Sequence, residues 1–295
     1  MNSKRILVLG ATGMLGNALF TELSKADFDV YGTARKMNPA FFPENLANKI
    51  IADIDIEDLL SLSTAIKELK PDVVMNCVGL IKQSPSASNT AMAIYMNALF
   101  PHRLASICEE YNARMIHFST DCVFSGKKGN YTEKDFSDAG NVYGRTKYLG
   151  EVVYPHCFTM RTSIIGHGLE TNASLVDWFL AQEGDVTGYD KVIFSGFPTV
   201  EIARILTEYI LPNHELSGLY HVSADPISKY DLLKLVAKVY SKKVNLISSD
   251  NEVSDKSLNS DRFRKISSYT PPSWDVLIEK MYEYYKSNSN FIKYT

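Results

Sequence analysis

The chain has 295 residues, 45% of them hydrophobic, and a formal net charge of -3, which is enough apolar material for one large domain or for one domain carrying a smaller lobe. Acidic and basic residues are interspersed, so no broad basic field is available to attract a nucleic acid, and no stretch reaches the roughly 18 apolar residues needed to cross a bilayer. Four cysteines (Cys77, Cys108, Cys122, Cys157) and six histidines show neither CxxC nor HExxH spacing, which points to reduced thiols, a cytoplasmic setting and no metal.

Lys4-Arg5 and the apolar run to Leu15 have the outline of a secretory signal, but Gly10, Gly13 and Gly16 interrupt that run at regular steps and suit a tight turn better. Strands are predicted over 5–9, 29–33, 49–51, 72–76, 114–118 and 158–161, each a compact aliphatic run next to a turn or polar residue. Apolar residues at i, i+3 and i+4 predict helices over 15–25, 57–70 and 91–111, the second stopped by Pro71 and the third kinked at Pro101. From about Asn172 the pattern turns mostly helical, over 174–182, 200–211, 228–240 and 273–286. Residues 84–90 and 249–260 are polar enough to be mobile loops. The alternation predicts an α/β fold: a Rossmann-type doubly wound parallel sheet over 1–165, then a smaller, mostly helical lobe over 166–295, some segments of which return to the first domain.

Gly10-Ala-Thr12-Gly13-Met14-Leu15-Gly16 follows the first strand and opens the first helix, the context in which spaced glycines let backbone N–H groups approach a pyrophosphate at a helix N-terminus. NAD-preferring sites end the second strand with an acidic residue that bonds the ribose 2′-hydroxyl. Here Thr33-Ala-Arg35-Lys36 stands in that place, and Arg35 suits a 2′-phosphate, so NADP(H) is favoured over NAD(H). The plainer reading of Arg35 and Lys36 is a solvated turn. Asp53, after the third strand, is either an adenine-side neighbour or another turn residue.

Tyr143-Gly-Arg-Thr-Lys147 puts a phenol and an ammonium at i and i+4, on one helix face. The positive charge stabilises phenolate and eases proton exchange with an alkoxide. Tyr230/Lys234 and Tyr282/Lys286 share the spacing but look like ordinary amphipathic faces. Tyr143 is set apart by His117-Phe-Ser119-Thr120-Asp121, which ends a predicted strand, where parallel sheets bind ligands. Thr120 can hydrogen-bond a substrate oxygen, Tyr143 can protonate it, and Lys147 can serve both the phenol and a cofactor ribose. Ser119 is the fallback for Thr120, and the alternative is that both hydroxyls merely satisfy backbone groups at a strand end.

Together these motifs resemble the extended short-chain dehydrogenase/reductases and, within them, the dTDP-4-dehydrorhamnose reductase group. The resemblance runs over most of the chain. It is carried by Gly10 to Gly16, by Asn76-Cys77-Val78-Gly79, by Ser119-Thr-Asp-Cys-Val-Phe124-Ser-Gly126, by Tyr143 to Lys147, by Arg161-Thr-Ser163 and by Gly196-Phe-Pro-Thr199.

The resemblance implies a Thr120/Tyr143/Lys147 triad. It implies NADP(H) bound by the glycine loop together with Asp53, Ile54, Cys77, Val78, Gly79 and Ser163. It implies a C-terminal lobe that clasps the nucleotide diphosphate of a sugar, hydride transfer to a keto group of a nucleotide-linked deoxysugar for cell-surface polysaccharide precursors, and a homodimer. By the same analogy Lys82, Asp121, Phe124 and Arg262 are substrate-side candidates. The stretch 80–90 departs from the acidic, alanine-rich one expected in rhamnose-pathway reductases, which leaves the particular sugar open. One alternative is a nucleotide-sugar epimerase or dehydratase, the latter disfavoured because Cys122 and not glutamate follows Asp121. The other is a non-catalytic, NADP-binding regulatory subunit.

Overall fold

Aliphatic runs buried on both faces put seven short strands into one sheet. A computed structural model describes residues 3–36, 38, 41–80, 89–169, 174–288, 290–291 and 294. Its first half runs β1 (Lys4–Leu9), α1 (Met14–Leu23), β2 (Phe28–Thr33), α2 (Glu44–Ala47), β3 (Ile50–Ile51), α3 (Leu59–Leu69), β4 (Val73–Asn76), α4 (Thr90–Ile94), α5 (Phe100–Glu110), β5 (Arg114–Thr120), α6 (Val142–Leu149) and β6 (Cys157–Thr162). There follow β7 (Ile164–Ile165), α7 (Leu175–Leu180), β8 (Asp185–Tyr189), β9 (Val192–Phe194), β10 (Phe197–Pro198), α8 (Thr199–Ile205), β11 (Gly218–His221), β12 (Ile227–Ser228), α9 (Lys229–Val239), β13 (Asn245–Ser249), β14 (Ser254–Asp255), α10 (Asp261–Ser267) and α11 (Trp274–Ser287).

The main sheet is parallel throughout, in the order β11-β6-β5-β4-β1-β2-β3, the expected α/β arrangement. One face packs Ile6, Val8, Met75 and Ile116 against Leu19 and Leu23 of α1 and Ile202 of α8. The other packs Leu7, Val74 and Met115 against Ile66 of α3 and Leu104 of α5. A separate core, including Val176, Phe179, Leu233 and Ile278, joins α7, α9 and α11. Small ribbons accompany it: β7 with β10, β8 with β13, and β9 between β12 and β14. β11 lies at the edge of the main sheet although it comes late in the chain.

Two local outcomes differ from the sequence pattern. The helix predicted over 91–111 is broken into α4, a π-helical turn at Tyr95–Leu99, and α5. Pro101 lies in the first turn of α5 and has no N–H for the Asn97 carbonyl four residues before it, so the helix widens instead of bending sharply. Gly150 packs against that carbonyl, where a Cβ would come within 1.9 Å of its oxygen. The polar stretch 249–260, expected to be mobile, is pinned. Asp255 N donates to Gly126 O, Tyr131 N to Ser257 O and Asn259 N to Tyr131 O, all within 2.9 Å. No described helix is long and apolar enough to cross a membrane.

Candidate active site

Strand order reverses at β1, which has β2 on one side and β4 on the other, so a crevice opens above the carboxyl ends of β1 and β4. The chain leaves β1 at Gly10, whose φ of +78° falls in the left-handed region. Gly16 packs onto that turn: a Cβ there would lie 2.1 Å from the Gly10 carbonyl oxygen, so only glycine lets α1 start this close to the strand. Gly13 is different. Its φ of -79° suits any residue, and an added Cβ would meet the chain only at 3.4 Å. Glycine here leaves room above the turn. α1 also has no side-chain N-cap and no acidic residue in its first turn, so its N–H groups and positive dipole end are available to an anion. Thr12 and Met14 are half-buried beside this turn, and Leu15 is buried beneath it.

Three segments converge on the loop. Thr33 at the end of β2 accepts from Gly10 N through its hydroxyl (3.2 Å) and from Ala11 N through its carbonyl (3.0 Å), and Arg35 and Lys36 are exposed just beyond it. Ile54 N donates to Ala34 O at 3.3 Å, which brings exposed Asp53, at φ +59°, alongside. Opposite, Cys77 N donates to Leu9 O at 3.2 Å. Val78 packs over Gly10, its Cγ2 3.0 Å from where a Cβ would be. Burial holds the Cys77 thiol well above its ordinary range, against the pull of Lys147, so it is a neutral wall.

Thr120, Tyr143 and Lys147, the three residues expected to act together, are placed by the carboxyl end of β5 and by α6. Thr120 caps the 3-10 turn 121–123, accepting from Cys122 N at 3.1 Å and donating to Asp121 Oδ1 at 3.2 Å. The Thr120 hydroxyl is also a hydrogen-bond partner of the Tyr143 phenol. Asn141 caps α6 by accepting from Gly144 N at 2.9 Å, which starts the helix so that Tyr143 lies in its first turn. Burial, with Cys122 and Asp121 nearby, raises the Tyr143 phenol above its ordinary range while Thr120 opposes the rise. One turn on, Lys147 is buried, and its Nζ donates to Phe118 O at 2.7 Å. Burial lowers Lys147 to about 8, with Glu151 and Cys77 acting in the other direction. A Cβ on Gly79 would lie 4.0 Å from that Nζ, so the ammonium adjoins the wall made by Cys77 to Gly79.

Residues 4–285 match the RmlD substrate binding domain family. The chain belongs to this family. It is 28% identical over 252 residues to methionine adenosyltransferase 2 subunit beta of Danio rerio, across 80% of this chain and 74% of that protein. It is 26% identical over 244 residues to a dTDP-4-keto-6-deoxy-D-glucose reductase of Streptomyces niveus, across 80% of this chain and 78% of that protein. A dTDP-4-dehydrorhamnose reductase from Bacillus anthracis, solved with NADP, superimposes with a TM-score of 0.79 at 22% identity, over 96% of this chain and 99% of that one. That likeness is one of fold.

Within this RmlD-family chain, two of the substrate-side candidates, Phe124 and Arg262, have protein partners of their own. Phe124 is 1% exposed, stacked on Tyr131 at 4.1 Å and lying 5.2 Å from the Arg161 guanidinium, so it is packing beneath the site. Arg262 covers the sheet edge: its guanidinium stacks on Tyr220 at 4.2 Å and donates to Leu219 O at 2.9 Å. Lys82 lies outside the described residues. Asp121 is buried beside Thr120. Ser163 is half-buried, its carbonyl accepting from Phe197 N at 2.8 Å. Ser119 is no substitute for Thr120, because successive strand residues face opposite ways and its hydroxyl donates to Glu151 at 2.6 Å.

Two residues at this site carry no obvious sequence signal. Lys256, in the pinned stretch, has its Nζ 3.8 Å from Cys122 Sγ. Glu151 forms a buried ion pair with Arg161 at 2.6 Å; its i+4 spacing from Lys147 was the one available hint.

Proposed function

We propose that this chain binds NADP(H) and reduces a keto group on a nucleotide-linked deoxysugar, as a cytoplasmic enzyme making precursors of cell-surface polysaccharide. The single observation that carries the reading is the meeting of Thr120 with the Tyr143 phenol at the end of β5, with the Lys147 ammonium held on Phe118 O beside Gly79.

The fit to the cofactor rests on the open α1 N-terminus and the space left by Gly13. Gly10 to Gly16 would hold the pyrophosphate, Arg35 the 2′-phosphate, Asp53 and Ile54 the adenosine side, and Cys77 to Gly79 with Ser163 the ribose and nicotinamide side. The bound nicotinamide supplies the hydride. Tyr143, held protonated by its surroundings, gives its phenolic proton to the keto oxygen as negative charge develops there. Thr120 donates a hydrogen bond to the same oxygen, and its single proton is then shared away from Asp121. Lys147, lowered only to about 8, is mostly an ammonium at neutral pH and stabilises the phenolate left behind. Asp121 and Lys256 are the substrate-facing charges in this reading.

We read residues 1–165 as the cofactor domain and 166–295 mainly as the substrate lobe, with α8 and β11 as returning segments; the packing of α8 on the main sheet and the pairing of β11 with β6 support this division. Exposed Leu99, Tyr148, Leu149, Val153 and Tyr154 support a homodimer, checked by sedimentation velocity.

The test is a screen of UDP-, dTDP- and GDP-linked 4-keto sugars for NADPH oxidation, with Tyr143→Phe as the control. Stoichiometric NADPH consumption is expected; isomerisation of the sugar without net consumption would favour an epimerase. A second reading, a regulatory subunit of another enzyme, is favoured by the likeness to a protein named as a subunit of methionine adenosyltransferase 2. It would win if Tyr143→Phe left the cellular phenotype intact while Gly13→Asp abolished it.

A further inference from the structure

Three neighbouring strands meet at one rung just before the triad: Ser119 on β5 is the register partner of Arg161 on β6, which is the partner of His221 on β11. Glu151, in the tight turn after α6, reaches this rung. Its Oε1 accepts from Ser119 Oγ and Arg161 Nε, and its Oε2 from Arg161 Nη2, all at 2.6 Å. The pair is buried, with side-chain exposures of 3% for Arg161 and 6% for Glu151. Beyond it, Arg161 Nη1 lies 3.1 Å from His221 Nε2, and His221 Nδ1 lies 2.9 Å from Tyr131 O. A neutral His221 with its proton on Nδ1 satisfies both contacts.

We propose that Glu151 is a positioning residue of the reductase site, clamping β5 to the chain after α6 so that Thr120 and Lys147 keep their places around Tyr143. The inference rests on the reading of the site given above. Ser119 is flanked by Thr120, which bonds the phenol, and by Phe118, whose carbonyl holds the Lys147 ammonium. A carboxylate gripping Ser119 therefore fixes both triad contacts from one point. Glu151 lies one helical turn beyond Lys147 and also favours its charged form.

Among the described residues, Cys77 after β4 acts on Lys147, which acts on His117 of β5, itself near His102 of α5; Arg161 of β6 pairs with Glu151 and bears on His221 of β11; and Tyr143 lies one turn before Lys147 on α6. Cys77 and Tyr143 are held protonated, and His117 and His221 are held neutral. Glu151 is the anion that acts on Lys147, so its removal drives the lysine toward the free amine.

The experiment compares the wild-type enzyme with Glu151→Gln and Glu151→Asp. In Glu151→Gln the basic limb of the kcat/KM profile should move to lower pH by about one unit, roughly tenfold in the Lys147 protonation equilibrium. In Glu151→Asp, which keeps the charge but shortens the reach, that limb should stay while kcat falls. A basic limb in Glu151→Gln superimposable on wild type, or wild-type kcat in Glu151→Asp, overturns the proposal. If Glu151→Gln does not fold, Ser119→Ala carries the test: kcat should fall with NADPH affinity unchanged, and wild-type kcat would overturn it. The Lys147 titration, followed by NMR of protein carrying ¹³C at lysine Cε and assigned with Lys147→Arg, is read without turnover. If no keto sugar is reduced at all, the reductase reading fails, while the shift between wild type and Glu151→Gln still decides the role of Glu151.

Discussion

Gly144 touches the backbone of Cys122: a Cβ on this glycine would lie 2.2 Å from the Cys122 carbonyl oxygen. That contact seats α6 directly on the turn capped by Thr120, and it explains why a glycine follows the tyrosine. The neighbour is main chain and cannot swing aside, so Gly144→Ala must push α6 outward and carry Tyr143 away from Thr120. A displacement of about 1 Å at a reacting group costs on the order of a hundredfold in rate, and the overpacking itself about 1–3 kcal/mol. Steady-state kinetics beside urea unfolding should show kcat/KM falling far more than the stability loss explains; wild-type kinetics in a folded Gly144→Ala protein would show that the contact does not set the triad.

The removal of the phenol tests the chemistry more directly. Tyr143→Phe leaves the ring and its packing but removes the proton, and general acid groups contribute roughly a hundredfold to ten-thousandfold. Turnover should fall in that range while NADPH binding, followed by fluorescence, changes little. A loss of binding equal to the loss of rate would make Tyr143 a cofactor contact and not the proton donor.

The sheet and the glycine turn were legible because each is set by local chemistry, aliphatic runs and glycines at fixed spacing; the Tyr143 helix showed only as the i, i+4 spacing to Lys147, and its cap Asn141 emerged from the structure. Glu151 and Lys256 were not legible, because their meaning lies in contacts that the fold, not the local sequence, brings together. Lys256 is 134 residues from Cys122 in the chain, and nothing in a polar stretch says that its backbone is pinned by Gly126 and Tyr131. Phe124 and Arg262 show the same limit: an aromatic ring and a guanidinium near a motif read alike whether they face a ligand, a neighbouring ring or a sheet edge.

Arg35 is exposed next to the loop that would bear the cofactor, and its fork of N–H donors suits a 2′-phosphate. Arg35→Ala should weaken NADPH binding by about 1.5–3 kcal/mol, the worth of a charge-assisted hydrogen bond, and so roughly tenfold to a hundredfold. NADH affinity should be unchanged. Titration with both cofactors checks this, and parallel losses for the two would assign Arg35 to the adenosine common to both.

Lys256 reaches Cys122 from the strap that β14 begins. If it faces the sugar nucleotide, Lys256→Ala should raise KM for that substrate about tenfold, the cost of one charge-assisted contact, with kcat and NADPH affinity near wild type. Lys256→Arg should restore part of the loss. A kcat defect with unaltered KM would instead put Lys256 in the support of the triad.

Buried histidines make a prediction that needs no substrate. His117 is held well below its usual value by burial and the nearby charges of Lys147 and His102, and His221 is held at about 3 by burial and Arg161. Both stay neutral in the folded protein at pH 5, whereas in the unfolded chain each takes a proton near pH 6.5. The unfolded state then binds more protons than the folded one, so unfolding free energy falls as pH drops below about 6.5, and the loss continues down to the folded-state values. Each histidine contributes about 1.4 kcal/mol per pH unit there, or nearly 3 kcal/mol together. Between about pH 6 and 5 the histidines dominate, because the paired carboxylates Asp29 and Asp138 are lowered from 3.8 and release their contributions only at more acid pH. Urea unfolding at pH 7, 6 and 5 measures the slope. His221→Gln, with no proton to gain in the unfolded chain, should halve it, and a stability that does not change across this range would mean that the two imidazoles are not held neutral.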